Sequence, residues 1–151
     1  MPAIPRQVEY ALMALVDMHS APAGQLFSVR ELGERHHVPF DVLSKAMQRM
    51  ARAGILSAVQ GVNGGYRIVR ELGSVSLLEV LDAVSGEMHT VNCLKTDKSC
   101  PLETSCTVSN IMSDLDARLR HFYAGICISD LMDGRVQTVC GDSTTTNGSV
   151  K

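Results

Sequence analysis

Over residues 6–20, Val8, Leu12, Leu15 and Val16 fall on one face at helical spacing, with Ala11 and Ala14 beside them. This pattern predicts a first helix that ends before the loop Ser20-Ala21-Pro22-Ala23-Gly24. Ser28-Val29-Arg30-Glu31 has the spacing of a capping box, in which the hydroxyl takes a free backbone N–H and the carboxylate reaches back to the cap, so a short second helix spans about 29–36. His36-His37-Val38-Pro39 makes a turn. A third helix from Phe40 to Arg52 places Leu43, Ala46, Met47 and Met50 inward and shows Asp41, Ser44, Lys45, Gln48, Arg49 and Arg52 outward. Gly54 stops it as a C-terminal cap would. The period then changes: Ile55–Val62 and Tyr66–Val69 are rich in β-branched residues and flank Asn63-Gly64-Gly65, which predicts a β-hairpin.

Two helices meeting at a short turn, the second with a basic polar face, followed at once by a hairpin, is the order of a winged helix-turn-helix. In such a unit the second helix enters the major groove of DNA and the hairpin lies along the phosphates. The fold expected is mainly α with a small β-hairpin, and residues 1–75 form the DNA-binding unit. The candidate DNA contacts are Ser28, Phe40, Ser44, Lys45, Gln48 and Arg49 on the helices, and Gln60, Asn63, Gly64 and Gly65 in the wing.

After the wing, Ser76-Leu77-Leu78-Glu79 is a second capping box, opening an apolar helix that runs to about Val84 and ends at Ser85-Gly86-Glu87. From Pro101 or Leu102 the pattern turns helical again, and Ile111, Leu115, Leu119 and Phe122 form a long apolar stripe suited to pairing with the same helix of a second chain. A small helix near Ser129-Asp130-Leu131-Met132 docks on the body. Residues 76–134 make up this second unit, and the Gly/Ser/Thr-rich residues 135–151 form a disordered tail.

Between these helices lies Cys93-Leu94-Lys95-Thr96-Asp97-Lys98-Ser99-Cys100-Pro101-Leu102-Glu103-Thr104-Ser105-Cys106, with three thiols separated by six and then five residues. The segment carries too little contiguous carbon to fold by packing alone. Thiolates are soft ligands suited to zinc or to iron–sulfur clusters, and three of them leave a fourth position to be filled from elsewhere. A structural disulfide framework is the alternative, and an odd cysteine set without a secretory signal argues against it. Cys127 is expected to pack as a small hydrophobe and Cys140 to be a free thiol in the tail. His19, His36, His37, His89 and His121 show no metal-ligand spacing, with His89 near enough to the loop to be a reserve ligand.

Composition narrows the partners. The net charge of −2 conceals a basic half, +3 over residues 1–70, and an acidic half, −5 over residues 71–151, so the nucleic-acid face belongs to the first. No apolar run approaches a membrane span, and the N-terminus has no signal-peptide core, which places the protein in the reducing cytoplasm. Neither a Ser/His/Asp set nor a phosphate loop is present, so catalysis has no support.

Taken together, the chain resembles the bacterial winged-helix regulators that carry iron–sulfur clusters, the family typified by IscR, NsrR and RirA, over about residues 6–134. The resemblance rests on Glu9-Tyr10-Ala11-Leu12, on Leu43-Ser44-Lys45-Ala46-Met47-Gln48-Arg49-Met50 with Ala53-Gly54-Ile55-Leu56, on Gly61-Val62-Asn63-Gly64-Gly65-Tyr66, and on the three cysteines. It implies a homodimeric repressor of double-stranded operator DNA with an iron–sulfur cluster held by Cys93, Cys100 and Cys106, [4Fe-4S] favoured over [2Fe-2S]. The fourth ligand varies in the family. The place of a loop His is held here by Ser109 and that of a helix-one His by Met13, while Glu9 matches the carboxylate that some members supply from the partner subunit. Gln60 stands where the family usually has a wing Arg, which implies a different wing contact. Val91-Asn92-Cys93 and Glu9 lean toward nitric-oxide sensing, and Ser99-Cys100-Pro101-Leu102 equally toward iron sensing. Two rivals remain: a metal-free thiol switch on the same fold, and an iron–sulfur dimer that never touches DNA.

Overall fold

A computed structural model describes residues 4–94, 100–102 and 104–135. Its elements run α1 (Arg6–His19), α2 (Val29–His36), α3 (Phe40–Arg52), β1 (Leu56–Val59), β2 (Gly65–Ile68), α4 (Leu77–Ser85), α5 (Ser109–Ala124) and α6 (Ile128–Met132). Short 3-10 turns lie at Leu72–Ser74 and Asn92–Leu94. The expected tail, with Cys140, lies outside the described residues.

The three N-terminal helices close on one aliphatic core in which Leu15, Leu32, Leu43, Met47, Met50 and Ile55 are fully buried. The inward face of α3 is the expected one. That of α1 is rotated from expectation: Val8, Ala11, Ala14, Leu15 and Met18 are buried, Leu12 is half-buried, and Val16 is 45% exposed beside an exposed Met13. The stretch Ala11–Val16 is apolar almost all round, so periodicity could not choose among its faces. Helix α1 packs against α3 and α4, and both alanines are buried.

Only half of the first predicted capping box forms. Ser28 Oγ accepts from the Glu31 amide at 3.1 Å, but the Glu31 carboxylate turns along the helix to Arg35, 3.1 Å away. The second forms completely: the Glu79 amide donates to Ser76 Oγ at 3.2 Å and the Ser76 amide to the Glu79 carboxylate at 2.9 Å. Arg70 adds an ion pair to Glu79 at 2.8 Å. Burial would push the Glu79 carboxyl up, but these hydrogen bonds from Ser76 and Arg70 hold it below the usual range.

The hairpin is shorter than expected. Strands β1 and β2 pair antiparallel from Leu56↔Ile68 to Val59↔Gly65. The connection is therefore Gln60–Gly64, closed by the Gly64 amide on the Gly61 carbonyl at 3.0 Å, and Val62 projects fully into solvent at its tip. Gly65 belongs to the strand rather than the turn. On the other edge of β2, Phe27 and Tyr66 exchange both backbone hydrogen bonds at 2.9 Å. A Cβ on Gly65, whose φ is +155°, would lie 2.5 Å from the Phe27 carbonyl oxygen. This close approach requires glycine.

The chain beyond α5 returns to the start of α4. The Leu77 amide donates to Ile126 and the Ile128 amide to Val75, each at 2.8 Å, burying Cys127 with its thiol 3.2 Å from the Gly73 carbonyl. Helix α5 begins at Ser109, later than the predicted Pro101 or Leu102. Thr104, Ser105 and Thr107 intervene, residues whose side chains compete with the helical backbone for hydrogen bonds. One side of α5 faces α4: Leu119, Arg120 and Tyr123 line a cavity with Leu78 and Leu81, and Arg120 pairs with Asp82 at 2.9 Å. On the other, Ile111, Leu115 and Phe122 are 62%, 41% and 59% exposed.

Candidate functional site

The outward stripe of α3 carries Asp41, Lys45, Gln48 and Arg52 at spacings of four, three and four residues, all exposed. Ser44 lies beside them and its Oγ accepts from the Gln48 amide group at 3.3 Å, so these two groups present a joined donor–acceptor edge. Phe40 opens the helix with its ring 55% exposed. It borders a groove also lined by Arg30, Gly33, His37 and Pro39. The remaining predicted contacts divide. Gln60 and Asn63 are exposed in the wing connection. Ser28 spends its acceptor on the α2 cap. Gly64 and Gly65 are needed by the hairpin itself, since a Cβ on either would collide with backbone. Arg49 departs furthest from expectation: its Nη1 donates to the Val84 carbonyl and lies 3.5 Å from Gln7 Oε1, turned along the protein body.

The arginines and lysines of the DNA-binding unit differ in whether they are already paired within the chain. Arg35 is paired with Asp17 and Glu31, and Arg70 with Glu79. The side chains of Arg30, Lys45, Arg52 and Arg67 have no ion-pair or hydrogen-bond partner among the described residues. Arg30 sits beside Phe40, Lys45 and Arg52 share the α3 stripe, and Arg67 stands exposed on β2. Bonding partners, invisible in a sequence, separate these four from the rest.

The thiols occupy the connection between α4 and α5. Cys93 is exposed, Cys100 and Cys106 are half-buried, and all three are free. Among the described residues no three His, Cys, Asp or Glu side chains converge as a metal site needs. Glu9 is exposed on α1, with Arg6 3.9 Å away as its ion-pair neighbour. The donor chemistry nonetheless fits iron: three unpaired thiols on one connection, accessible to solvent, and an exposed carboxylate on a separate face.

The entrance to this connection is pinned by groups that the sequence reading passed over. Asp116, 5% exposed on α5, accepts from the Thr90 amide and lies 2.9 Å from His89 Nδ1. Arg120, one turn later, donates to the Met88 carbonyl at 2.9 Å and pairs with Asp82 of α4 at 2.9 Å. His89, held in reserve as a ligand, is thus engaged by Asp116 and lies 3.5 Å from Glu87. The available signal was the Asp116/Arg120 pair at i, i+4, on the side of α5 opposite its apolar stripe. Burial would raise the Asp116 carboxyl, but the Thr90 and His89 hydrogen bonds outweigh it and hold the group below the usual carboxylate range.

No helix among the described residues is long and apolar enough to cross a membrane. The HTH-type transcriptional regulator IscR of Aliivibrio salmonicida is 26% identical over 131 residues, spanning 86% of this chain and 77% of that one. Among solved structures, T. potens IscR superposes with a TM-score of 0.58 at 17% identity, covering 87% of each chain. CymR, the global cysteine regulator of B. subtilis, superposes with a TM-score of 0.66 at 14% identity, covering 89% of this chain and 98% of its own. These likenesses place the fold among winged-helix regulators, a class without enzymatic activity. Residues 4–134 match the Rrf2 family, described as iron-dependent transcriptional regulators. The chain belongs to the Rrf2 family of transcriptional regulators.

Proposed function

We propose that this regulator binds double-stranded operator DNA as a homodimer, through α3 and the wing, and that an iron–sulfur cluster on Cys93, Cys100 and Cys106 controls the binding. The observation that carries the proposal is the set of three free thiols on the one connection that joins α4 to α5. We assign the fourth ligand to Glu9 of the second copy and favour a [4Fe-4S] cluster, with [2Fe-2S] as the alternative. When bound, the cluster supplies an oxygen-ligated iron that is easier to displace or attack than a thiolate-ligated one.

The chain's own residues would convert that event into a change on DNA. Release of the thiols would free the connection between His89 and α5, and Ile111, Leu115 and Phe122, the exposed members of the α5 stripe, would form the dimer seam; Leu119, expected in that seam from its spacing, is half-buried on the side of α5 that faces Leu78 and Leu81 of α4. A dimer reads half-sites about one helical turn apart, so a small rotation about this seam misplaces one α3 relative to the other. The signal is nitric oxide, iron supply or redox state. Anaerobic isolation with absorption spectra and iron and sulfide counts tests the cluster, and Glu9→Ala tests its fourth ligand: a cluster with unchanged spectrum and lability would refute that assignment.

The metal-free thiol switch is the second reading, supported by the shared fold of CymR. Colourless protein without iron or sulfide, whose operator binding changes when its thiols are oxidised, would establish it instead.

On DNA, each protomer brings Arg30, Lys45, Arg52 and Arg67 as free cations. If all of them meet phosphates in the dimer, log Kobs falls with log salt at a slope of about −7. Lys45→Gln is expected to weaken operator binding and reduce that slope by about 2, as measured by fluorescence anisotropy across a salt series. An unchanged slope would remove Lys45 from the phosphate contacts.

A further inference from the structure

Arg49 leaves the DNA-facing helix and meets two other helices at a single point. Its Nη1 donates to the carbonyl of Val84, one of the last carbonyls of α4, which lack partners within the helix. A guanidinium there is also favoured by the negative end of the helix dipole. Gln7, in the first turn of α1, completes the junction: its Oε1 lies 3.5 Å from Arg49 Nη1 and its Nε2 donates to Ser85 Oγ at 3.0 Å. The junction therefore joins α3 to the end of α4, just before the connection that carries Cys93, and to the start of α1, two residues before Glu9.

We infer that Arg49 is a positioning residue that fixes the recognition helix α3 to the ends of α1 and α4, and that it does not contact DNA phosphate. This rests on the reading of α3 as the DNA-binding helix. Arg52, in line with Lys45 on the same helix, has no partner among the described residues, whereas the exposed Arg49 commits its Nη1 within the protein, to the Val84 carbonyl and Gln7 Oε1. A shift at the end of α4 or the start of α1 is then transmitted to α3 through one side chain.

The two roles separate experimentally, because a phosphate contact contributes to the salt slope and a tie between helices does not. In Arg49→Gln, operator affinity is expected to fall about tenfold at every salt concentration, with the slope of the wild type retained. Arg49→Lys keeps the charge and a donor for the Val84 carbonyl but loses the planar guanidinium, and is expected to recover part of the loss. Gln7→Leu breaks the same junction without altering charge. Its loss is expected to be smaller than that of Arg49→Gln and not to add to it in the double variant, as for residues sharing one interaction. Circular dichroism confirms that each variant is folded, and Gln7→Leu and Arg49→Lys carry the test if Arg49→Gln is not. A slope reduced as in Lys45→Gln, or losses at positions 7 and 49 that add fully, would overturn the inference while leaving DNA binding intact. A wild type that binds no duplex at any salt would instead overturn the reading of α3 and this inference with it.

Discussion

Cys100→Ser is expected to yield anaerobically purified protein with little or no iron or sulfide. A serine hydroxyl is a hard, weakly acidic donor that does not replace a thiolate in a soft ligand set. With two thiols and one carboxylate left in the proposed site, the set lacks one of its four ligands, so iron and sulfide are expected to fall far below the wild-type content. Cys127→Ser is the matched control: Cys127 is buried against the Gly73 carbonyl, away from the α4–α5 connection, and its replacement keeps the cluster. Absorption between 300 and 700 nm, a window of about the breadth of sulfur-to-iron charge transfer, together with metal analysis, separates the outcomes. Iron retained at wild-type stoichiometry in Cys100→Ser would remove this residue from the ligand set.

Asp116→Ala is expected to lower the stability of the fold by about 1–3 kcal/mol, because it orphans the half-buried Thr90 amide and releases His89. Asn at this position accepts one hydrogen bond and should lose less. The carboxyl is held below its usual range, so its contribution is complete above the unfolded-state value and is lost as pH falls through the lower folded-state value. Wild-type stability should therefore drop steeply in the acid range below about pH 4, where unfolded aspartates titrate, and Asp116→Asn should show a shallower drop. Urea titrations at neutral and acid pH measure both effects. Equal acid limbs for the two proteins would show that Asp116 does not clasp the segment ahead of Cys93.

Much of the fold was legible because its signals are local. Ser76 and Glu79 specify a complete capping box within four residues, and Leu43, Ala46, Met47 and Met50 specify the buried face of α3 from spacing alone. What escaped was set by partners distant in the chain. Val16 looks like a core residue until α1 is found to pack against α3 and α4 with Ala11 and Ala14 buried. Arg49 is legible as an outward cation, but its hydrogen bond to the Val84 carbonyl, 35 residues away, is not. Likewise, Glu31 could serve the α2 cap or Arg35, and the fold chooses Arg35. The thiols were visible as chemistry, but the clasp of Asp116 and Arg120 that anchors their segment depends on pairing across 26 and 32 residues.

The measurement that bears most directly on the account is the operator affinity of one preparation before and after anaerobic removal of its iron. Cluster-loaded and iron-free dimers, compared by anisotropy on the same duplex under reducing conditions, are expected to differ at least tenfold. Equal affinities would contradict control of DNA binding by a cluster on Cys93, Cys100 and Cys106.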